Sequence, residues 1–171
     1  MRVVVWSTGG VGSIAIDAVR RRPDLDLVGV WVHSPDKAGR DAGELAGGEP
    51  LGVLATNDAD ALITLAPDCV VYAASGPERD GAAVPDYVRL LSAGINVVST
   101  SSTSLVYPPS YFAPNWRDEL DAAAKAGHAS FYASGIFPGF ASDQLALLMT
   151  TQSKSIRRIT ASEVALNDHY P

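Results

Sequence analysis

The sequence predicts an α/β fold in which a doubly wound parallel β-sheet carries helices on both faces. Short runs of β-branched residues alternate along the 171 residues with segments whose apolar residues recur at helical spacing. The strand-like runs are apolar almost throughout, which is typical of parallel strands buried on both faces. The predicted order is βαβ(β)αβαβαβα, with right-handed crossovers between parallel strands.

The first two predicted strands flank a helix at the start of the chain. They are the apolar runs Arg2–Trp6 and Leu27–Val32, and Pro23 ends the helix between them. The apolar residues of this helix are predicted to share one buried face, which consists of Val11, Ile14, Ala15, Ala18 and Val19.

A polar segment and a capped helix follow the second strand. Residues 34–50 are rich in glycine, aspartate and glutamate and predict a loop, and residues 51–55 predict a short third strand. Asn57 or Asp58 is the predicted N-cap of the next helix, and Pro67 lies just beyond its end.

The second half of the chain continues the alternation. Three more predicted strands are residues 69–74, 95–100 and 130–134. The helices between them end at Gly94 and Gly127, because glycine adopts the left-handed conformation that often closes a helix. Pro138 is predicted to open a helix that reaches about Thr151, since proline is favoured in a first turn. Residues 156–166 predict one more strand, with no helix after it.

Composition excludes several classes of function. The formal net charge of -6, without a basic stripe, argues against nucleic-acid binding. The single cysteine, Cys69, excludes an internal disulfide and a cysteine-ligated zinc site, and no metal is predicted. No apolar run approaches the roughly 20 residues of a membrane helix, and no signal peptide is recognised. We therefore expect a soluble, cytoplasmic protein without membrane association.

The turn after the first strand carries the strongest functional signal. Its sequence, S-T-G-G-V-G, follows a strand and opens a helix, as the G-x-G-x-x-G dinucleotide-binding fingerprint does. In that motif the glycines let the backbone approach a pyrophosphate, and the helix N-terminus presents N–H groups to it. Serine replaces the first glycine, and its hydroxyl can bond the backbone or a phosphate. The predicted pyrophosphate-binding residues are Ser7, Thr8, Gly9, Gly10, Val11 and Gly12.

The end of the second strand predicts which dinucleotide binds. NAD sites usually place an acidic residue here for the ribose 2′-hydroxyl, whereas a 2′-phosphate favours hydroxyl and cationic side chains. The chain supplies His33 and Ser34, with Lys37 and Arg40 close behind. All four are predicted cofactor contacts. Ser34, Lys37 and Arg40 favour NADP as the cofactor, and Asp36 leaves NAD open.

Three other predicted strand ends are small and polar. In an open α/β sheet such ends meet at the edge where ligands bind. Glycine and serine there allow a ribose and a nicotinamide to lie against the backbone. The predicted cofactor contacts at these ends are Ala74, Ser75, Gly76, Thr100, Ser101 and Phe137.

Three segments together resemble the dihydrodipicolinate reductase-like superfamily, and within it the branch of 2,4-diaminopentanoate dehydrogenase and native amine dehydrogenases. They are S-T-G-G-V-G, then Y-A-A-S-G-P-E at residues 72–78, and G-I-F-P-G-F-A-S-D-Q-L at residues 135–145. The last is similar to the family pattern G-x-N-P-G-F-x-x-D-x-L, with Phe137 in place of the asparagine.

The resemblance implies two domains. Residues 1–152 would form an NAD(P)-binding Rossmann-like domain, and residues 153–171 would start a truncated second α/β domain for substrate binding and dimerisation. The implied reaction is hydride transfer between nicotinamide and a C=N or C–N carbon of a small amine, imine or carbonyl substrate, in a homodimer. The 171 residues alone are expected to be inactive as a catalyst.

The catalytic residues are less well defined than the cofactor site. The resemblance implies an acidic residue in the loop after the fifth strand, but residues 100–112 contain no aspartate or glutamate. The remaining polar candidates for catalysis are Ser102, Tyr107, Asn167 and His169. Two alternatives stay open: a non-catalytic dinucleotide-binding module, and another dehydrogenase that shares the same N-terminal domain.

Overall fold

A single parallel sheet organises the chain. The computed structural model describes residues 1–74, 79–107 and 115–164. Within these residues six strands pair in the order β3-β2-β1-β4-β5-β6. The strands are β1 Arg2–Trp6, β2 Asp26–Trp31, β3 Ala55–Thr56, β4 Cys69–Tyr72, β5 Asn96–Ser99 and β6 Phe131–Ala133. The doubly wound α/β fold predicted from the alternating pattern is confirmed.

Helices cover both faces of this sheet. The α-helices of the described residues are α1 Gly10–Arg20, α2 Ala42–Leu45, α3 Ala59–Thr64, α4 Arg79–Ala82, α5 Val84–Ser92, α6 Trp116–Gly127 and α7 Ala146–Thr150. Two 3₁₀ turns, Pro35–Lys37 and Thr103–Val106, and a π-helical segment, Ile136–Leu145, accompany them; the backbone of this last segment is non-helical at residues 137–139. In this part of the chain no helix has both the length and the apolar character needed to cross a bilayer.

Alternate residues of each strand point to opposite faces and build two apolar cores. On one face Val3 and Val5 pack with Ile16 of α1. On the other face Val4 and Trp6 belong to a larger core that includes residues of α3, α5 and α6. Because both faces of the sheet are covered, strand residues that point to either face are buried, and the strand sequences are apolar almost throughout.

The six strands end in register. Trp6 pairs with Trp31 on one side and with Tyr72 on the other, and the same alignment continues to both edges of the sheet. The last residues of the strands therefore form one row, which we call the carboxyl-edge row: Thr56, Trp31, Trp6, Tyr72, Ser99 and Ala133. Ligands of open parallel sheets bind along this edge.

The buried face of α1 differs from the predicted one. Gly12, Ile16 and Val19 are buried, whereas Val11 and Ile14 are exposed. The prediction was therefore wrong for Val11, Ile14 and Ala18, since Ala18 is exposed as well. The buried face runs through a glycine, which has no side chain to add to a hydropathy pattern, so the apolar spacing pointed to a neighbouring face.

Pro138 does not open the helix that follows β6, so that prediction was wrong. Phe137, Pro138 and Gly139 have non-helical backbone angles, and Gly139 has a φ of +128°. An ideal Cβ at Gly135 would lie 2.8 Å from the carbonyl oxygen of Pro138. Proline and glycine thus form a tight turn before the helix, because the glycine supplies a conformation that a helix interior does not use.

The predictions for three other segments were also wrong in part. Residues 156–164 are exposed and form no strand, since no described strand pairs with them; residues 165–166 lie outside the described residues. The third strand covers Ala55–Thr56 rather than residues 51–55. The segment 34–50, predicted as a loop, contains one of the 3₁₀ turns and α2.

Candidate functional site

The turn between β1 and α1 is built around Ser7. The Ser7 N–H donates to the carbonyl oxygen of Trp31 at 2.9 Å, which extends the sheet pairing beyond the carboxyl-edge row. The φ of Ser7 is +103°, a region that glycine occupies at least cost. The Ser7 hydroxyl accepts a hydrogen bond from the N–H of Gly9 at 3.3 Å. This hydrogen bond ties the side chain of Ser7 to the backbone of the same turn.

Gly12 sets the close approach of α1 to this turn. An ideal Cβ at Gly12 would lie 2.0 Å from the carbonyl oxygen of Ser7, so a side chain would push the helix off the turn. At Gly9 the nearest atom to such a Cβ is Ser7 Oγ at 3.8 Å, and at Gly10 no atom lies within 4 Å. Contacts within the protein therefore require only the last glycine, and the other two leave their backbone open to a ligand.

The N-terminus of α1 carries neither a side-chain cap nor an acidic residue in its first turn. In contrast, α2 and α3 are capped by the carboxylates of Asp41 and Asp58, which accept from backbone N–H groups. The first N–H groups of a helix have no partner inside the helix and carry partial positive charge. Helix α1 thus offers open donors beside the carboxyl-edge row, an arrangement suited to a phosphate.

The segment after β2 contacts the glycine turn through Lys37. Lys37 Nζ donates to Thr8 Oγ1 at 3.4 Å, and Thr8 is buried. Ser34 lies at the N-cap position of the 3₁₀ turn that carries Lys37, but its side chain makes no capping hydrogen bond. The ring of His33 lies 6.0 Å from that of Trp31, the last residue of β2. Arg40 is exposed and makes no ion pair with the described residues. The structure therefore brings Lys37 to the turn and leaves Arg40 at the surface.

A buried hydroxyl cluster holds the turn after β5. Tyr87 Oη of α5 forms hydrogen bonds with Ser99 Oγ at 2.7 Å and with Ser102 Oγ at 3.0 Å, and all three residues are buried. Ser99 Oγ also accepts from the N–H of Ser101 at 3.0 Å. Thr100 is exposed at the sheet edge. The hydroxyl of Ser102, a candidate for catalysis, is therefore engaged inside the protein, whereas Thr100 and Ser101 remain at the edge.

The segment after β6 forms a turn that Asp143 holds. The N–H of Gly139 donates to Asp143 Oδ2 at 2.8 Å, and the Ser142 hydroxyl donates to the same oxygen at 2.5 Å. The Ser142 hydroxyl and the Gly139 N–H hold the pKa of the Asp143 carboxyl below its ordinary value of 3.8. Phe137 lies half-buried in this turn. Asp143 was not among the predicted site residues, although its place four residues after Gly139 in the matched pattern was a signal.

Three aromatic rings of the carboxyl-edge row are stacked. The ring of Trp6 lies 5.0 Å from that of Trp31 at an angle of 11°, and 5.7 Å from that of Tyr72 at 17°. Trp6 Nε1 is buried without a hydrogen-bond partner among the described residues. The sequence signal for this stack was one aromatic residue at the end of each of three strands. Trp6 and Tyr72 are buried, so this stack is part of the larger core at the ends of the strands.

The other predicted site residues are placed unevenly. Ala74 is buried just beyond β4, and Tyr107 is 68% exposed after the second 3₁₀ turn. Four predicted residues lie outside the described residues: Ser75, Gly76, Asn167 and His169. Where the structure describes the chain, it contains no group of histidine, cysteine, aspartate or glutamate residues that would hold a metal ion. The glycine turn, Lys37 and the β5 turn thus share one sheet edge.

The strand order, with the glycine-bearing turn between β1 and α1, is that of a Rossmann-like dinucleotide-binding domain. The chain is similar to the amine dehydrogenase of Streptomyces virginiae, with 43% identity over 162 residues that cover 94% of this chain and 45% of that protein. It is also similar to the 4-hydroxy-tetrahydrodipicolinate reductase of Nostoc sp. strain PCC 7120, with 42% identity over 62 residues, 36% of this chain and 22% of that protein. No family model matches the chain.

Solved structures agree with these relatives. The amine dehydrogenase of Mycobacterium smegmatis matches with a TM-score of 0.75 and 33% identity, covering 88% of this chain and 44% of that one. Biliverdin reductase from Synechocystis sp. PCC 6803, solved with biliverdin and NADP⁺, shares the fold at a TM-score of 0.64 and 19% identity, over 88% of this chain and 42% of that one. The predicted resemblance is confirmed, and the chain spans less than half the length of these relatives.

The strain at Ser7 predicts an order of stabilities. Replacing Ser7 by glycine or by alanine removes the same hydroxyl, but only glycine adopts the positive φ of this position without strain. We expect Ser7→Gly to exceed Ser7→Ala in free energy of unfolding by about 1 kcal/mol or more, as measured by urea denaturation. Equal stability of the two variants would show that the positive φ at this position has no cost.

The contact at Gly12 predicts a sharp difference between two glycines of one motif. We expect Gly12→Ala to lower the free energy of unfolding by about 2 kcal/mol or more, because the new methyl group would overlap the Ser7 carbonyl. Gly10→Ala is the matched control: its methyl group enters open space, and stability should change by less than about 1 kcal/mol. Similar losses for both variants would contradict the contact.

The depressed pKa of Asp143 predicts a pH dependence. A carboxyl whose pKa is lowered on folding stabilises the protein above its unfolded pKa, near 3.8, and this contribution is lost as the pH falls through the folded value. Between pH 5 and pH 3 the wild type should therefore lose more stability than Asp143→Asn. Asp26→Asn is the control, since the Asp26 side chain is exposed and makes no hydrogen bond with the described residues. Parallel stability curves for wild type and Asp143→Asn would contradict the role of this carboxylate.

Proposed function

We propose that this chain is the cofactor-binding part of an NAD(P)-dependent oxidoreductase that transfers hydride between a nicotinamide and a C=N or C–N carbon. The observation that carries the proposal is the 43% identity to an amine dehydrogenase over 94% of the chain. A dinucleotide suits the residues present, because Gly9 and Gly10 leave their backbone open and α1 offers uncapped N–H groups. Since the chain spans 45% of that relative, we expect turnover only in a protein of similar length.

We propose NADP as the preferred cofactor. Lys37 is held at the glycine turn by Thr8, where its charge would favour the phosphate groups of a dinucleotide. Ser34 lies three residues after the end of β2, and the exposed Arg40 is free to turn toward a 2′-phosphate. Asp36 is the residue that would bond a ribose 2′-hydroxyl if NAD were bound instead.

The chain's own residues would bind and orient the cofactor. When bound, the nicotinamide supplies or accepts the hydride. The first-turn N–H groups of α1 would hold the pyrophosphate, and this contact would direct the rest of the molecule along the carboxyl edge. Thr100 and Ser101 would offer hydroxyl groups to the nicotinamide half of the cofactor. The turn around Phe137 would form the limit of the site at the nicotinamide end.

The proposed substrate is a small amine or imine, with a carbonyl compound as the alternative product or substrate. The carbon of an imine or iminium group is already electrophilic, so holding it about 3–3.5 Å from the nicotinamide is the main requirement. The Ser102 hydroxyl is hydrogen-bonded to Tyr87 and Tyr107 is exposed, and both residues stay candidates for a catalytic role. Asn167 and His169 are further candidates for catalysis, and of these two only the imidazole of His169 can transfer a proton.

We also propose that residues 153–171 start a second α/β domain that serves substrate binding and dimerisation. Large exposed apolar residues are concentrated in and after α7, and such clusters mark surfaces that another structural element covers. They include Leu147, Leu148, Met149, Ile156 and Ile159. The cytoplasmic location and the homodimer stay predictions from the sequence and from the resemblance.

Calorimetric titration with NADPH and NADH tests the cofactor proposal. We expect the chain to bind NADPH more tightly than NADH. Lys37→Ala should weaken NADPH binding about tenfold, because a charge-assisted bond to phosphate contributes about 1.5 kcal/mol or more. Arg40→Ala should weaken NADPH binding and leave NADH unchanged, since Arg40 is assigned to the 2′-phosphate alone.

Arg22→Ala is the control for loss of one positive charge. Arg22 pairs with Asp24 just before β2, at the amino edge of the sheet and away from the site. Its removal should change neither affinity by more than about twofold. Equal affinity for NADPH and NADH, unaffected by Arg40→Ala, would contradict the preference for NADP. If neither NADPH nor NADH bound to the chain, the cofactor-binding role itself would be contradicted.

A further inference from the structure

Tyr87 is a residue of α5 whose side chain is buried in the larger core. Its hydroxyl group contacts both ends of the turn after β5. We propose that Tyr87 is a positioning residue that fixes Thr100 and Ser101 for the nicotinamide half of the cofactor. This inference rests on the proposed function, because it presupposes that a nicotinamide dinucleotide lies along the carboxyl edge.

The spacing of its partners gives Tyr87 this role. Ser99 is the last residue of β5 and Ser102 follows three residues later, so the two hydrogen bonds, of 2.7 Å and 3.0 Å, span the intervening turn. The two residues inside that span are Thr100 and Ser101. One hydroxyl group therefore sets the distance between the ends of the segment that faces the ligand edge.

The turn is also held against the neighbouring strand. The carbonyl oxygen of Tyr72, in the carboxyl-edge row, accepts from the N–H of Thr100 at 3.0 Å and from the hydroxyl of Ser101 at 3.4 Å. Ser99 Oγ accepts from the N–H of Ser101 at 3.0 Å, and Tyr87 orients this same oxygen. Removing the Tyr87 hydroxyl would therefore loosen the hydrogen bonds that direct Ser101.

The apolar packing of the Tyr87 ring does not need its hydroxyl group. The ring meets Tyr72 edge-on at 4.8 Å and lies 4.9 Å from Phe131. Phenylalanine would keep both contacts, so Tyr87→Phe separates the hydrogen bonds from the core. Two buried serine hydroxyls would then lose a partner, and the turn that they flank would be less constrained.

The test compares two ligands that differ only in the nicotinamide. NADP⁺ and 2′-phospho-ADP-ribose are titrated into the wild type and Tyr87→Phe; NAD⁺ and ADP-ribose replace them if the wild type prefers NAD. We expect Tyr87→Phe to weaken binding of the dinucleotide about fivefold, the effect of roughly one hydrogen bond. Binding of the shorter ligand should stay within about twofold, because it lacks the nicotinamide ring that the turn after β5 is proposed to contact.

Two further variants separate positioning from loss of stability. Tyr72→Phe removes another buried tyrosine hydroxyl, one that donates to Asp86 Oδ2 at 2.7 Å, and should leave the ratio of the two affinities unchanged. Ser102→Ala removes one of the two hydrogen bonds described above for the Tyr87 hydroxyl, and should shift the ratio in the same direction by a smaller factor. It also provides the measurement if Tyr87→Phe does not fold.

The outcomes distinguish this inference from the function on which it rests. A selective loss of dinucleotide affinity in Tyr87→Phe and Ser102→Ala supports the positioning role. An unchanged ratio in both variants, or a wild type that binds the two ligands equally, overturns the positioning role and leaves the cofactor site intact. A wild type that binds neither ligand overturns the proposed function, and the positioning role with it.

Discussion

The register of the parallel ladder is the constraint on which the rest of this molecule depends. Each strand ends opposite the last residue of its neighbour, so six chain segments leave the sheet along a single line. A slip of one residue in β1 would turn Trp6 to the other face and carry the glycine turn out of that line. Apolar packing on both faces opposes such a slip, since it would exchange the residues of the two cores.

The conformation of the glycine turn depends both on strand pairing and on the glycine motif itself. Ser7 is held in an unfavourable conformation from both sides: its N–H is bonded to β2, and its carbonyl lies directly under Gly12. Because the surroundings fix the backbone, the residue at the first position of the fingerprint need not be glycine. Because α1 lies in contact with the turn, the residue at the last position of the fingerprint must be glycine.

Much of the fold could be predicted from the sequence, because strands buried on both faces leave long apolar runs and short polar ends. The predictions that were wrong depend on backbone rather than on hydropathy. Gly12 is buried without contributing to any apolar pattern, and Pro138 belongs to a turn because the next residue has a positive φ. Residues 156–164 have a strand-like composition, but a strand also needs a neighbour to pair with, which no single segment reveals.

The glycine motif marked one end of the candidate site, and the polar strand ends marked the rest of its edge. The hydroxyl cluster of Tyr87 could not have been found in the same way. Its helical spacing indicates a core position, and nothing in that spacing shows whether the phenolic oxygen meets a partner from a strand that follows later in the chain. Such partners depend on the three-dimensional register of α5 against β5, which periodicity does not encode.

The stacked indoles also give the protein an optical property. The chain has three tryptophans, and Trp6 and Trp31 are nearly parallel neighbours at the sheet edge. Ultraviolet light absorbed by the protein is thus collected largely beside the proposed ligand path. Emission from indole overlaps the absorption band of a reduced nicotinamide, so occupancy of this edge would be visible as quenched fluorescence without any added label.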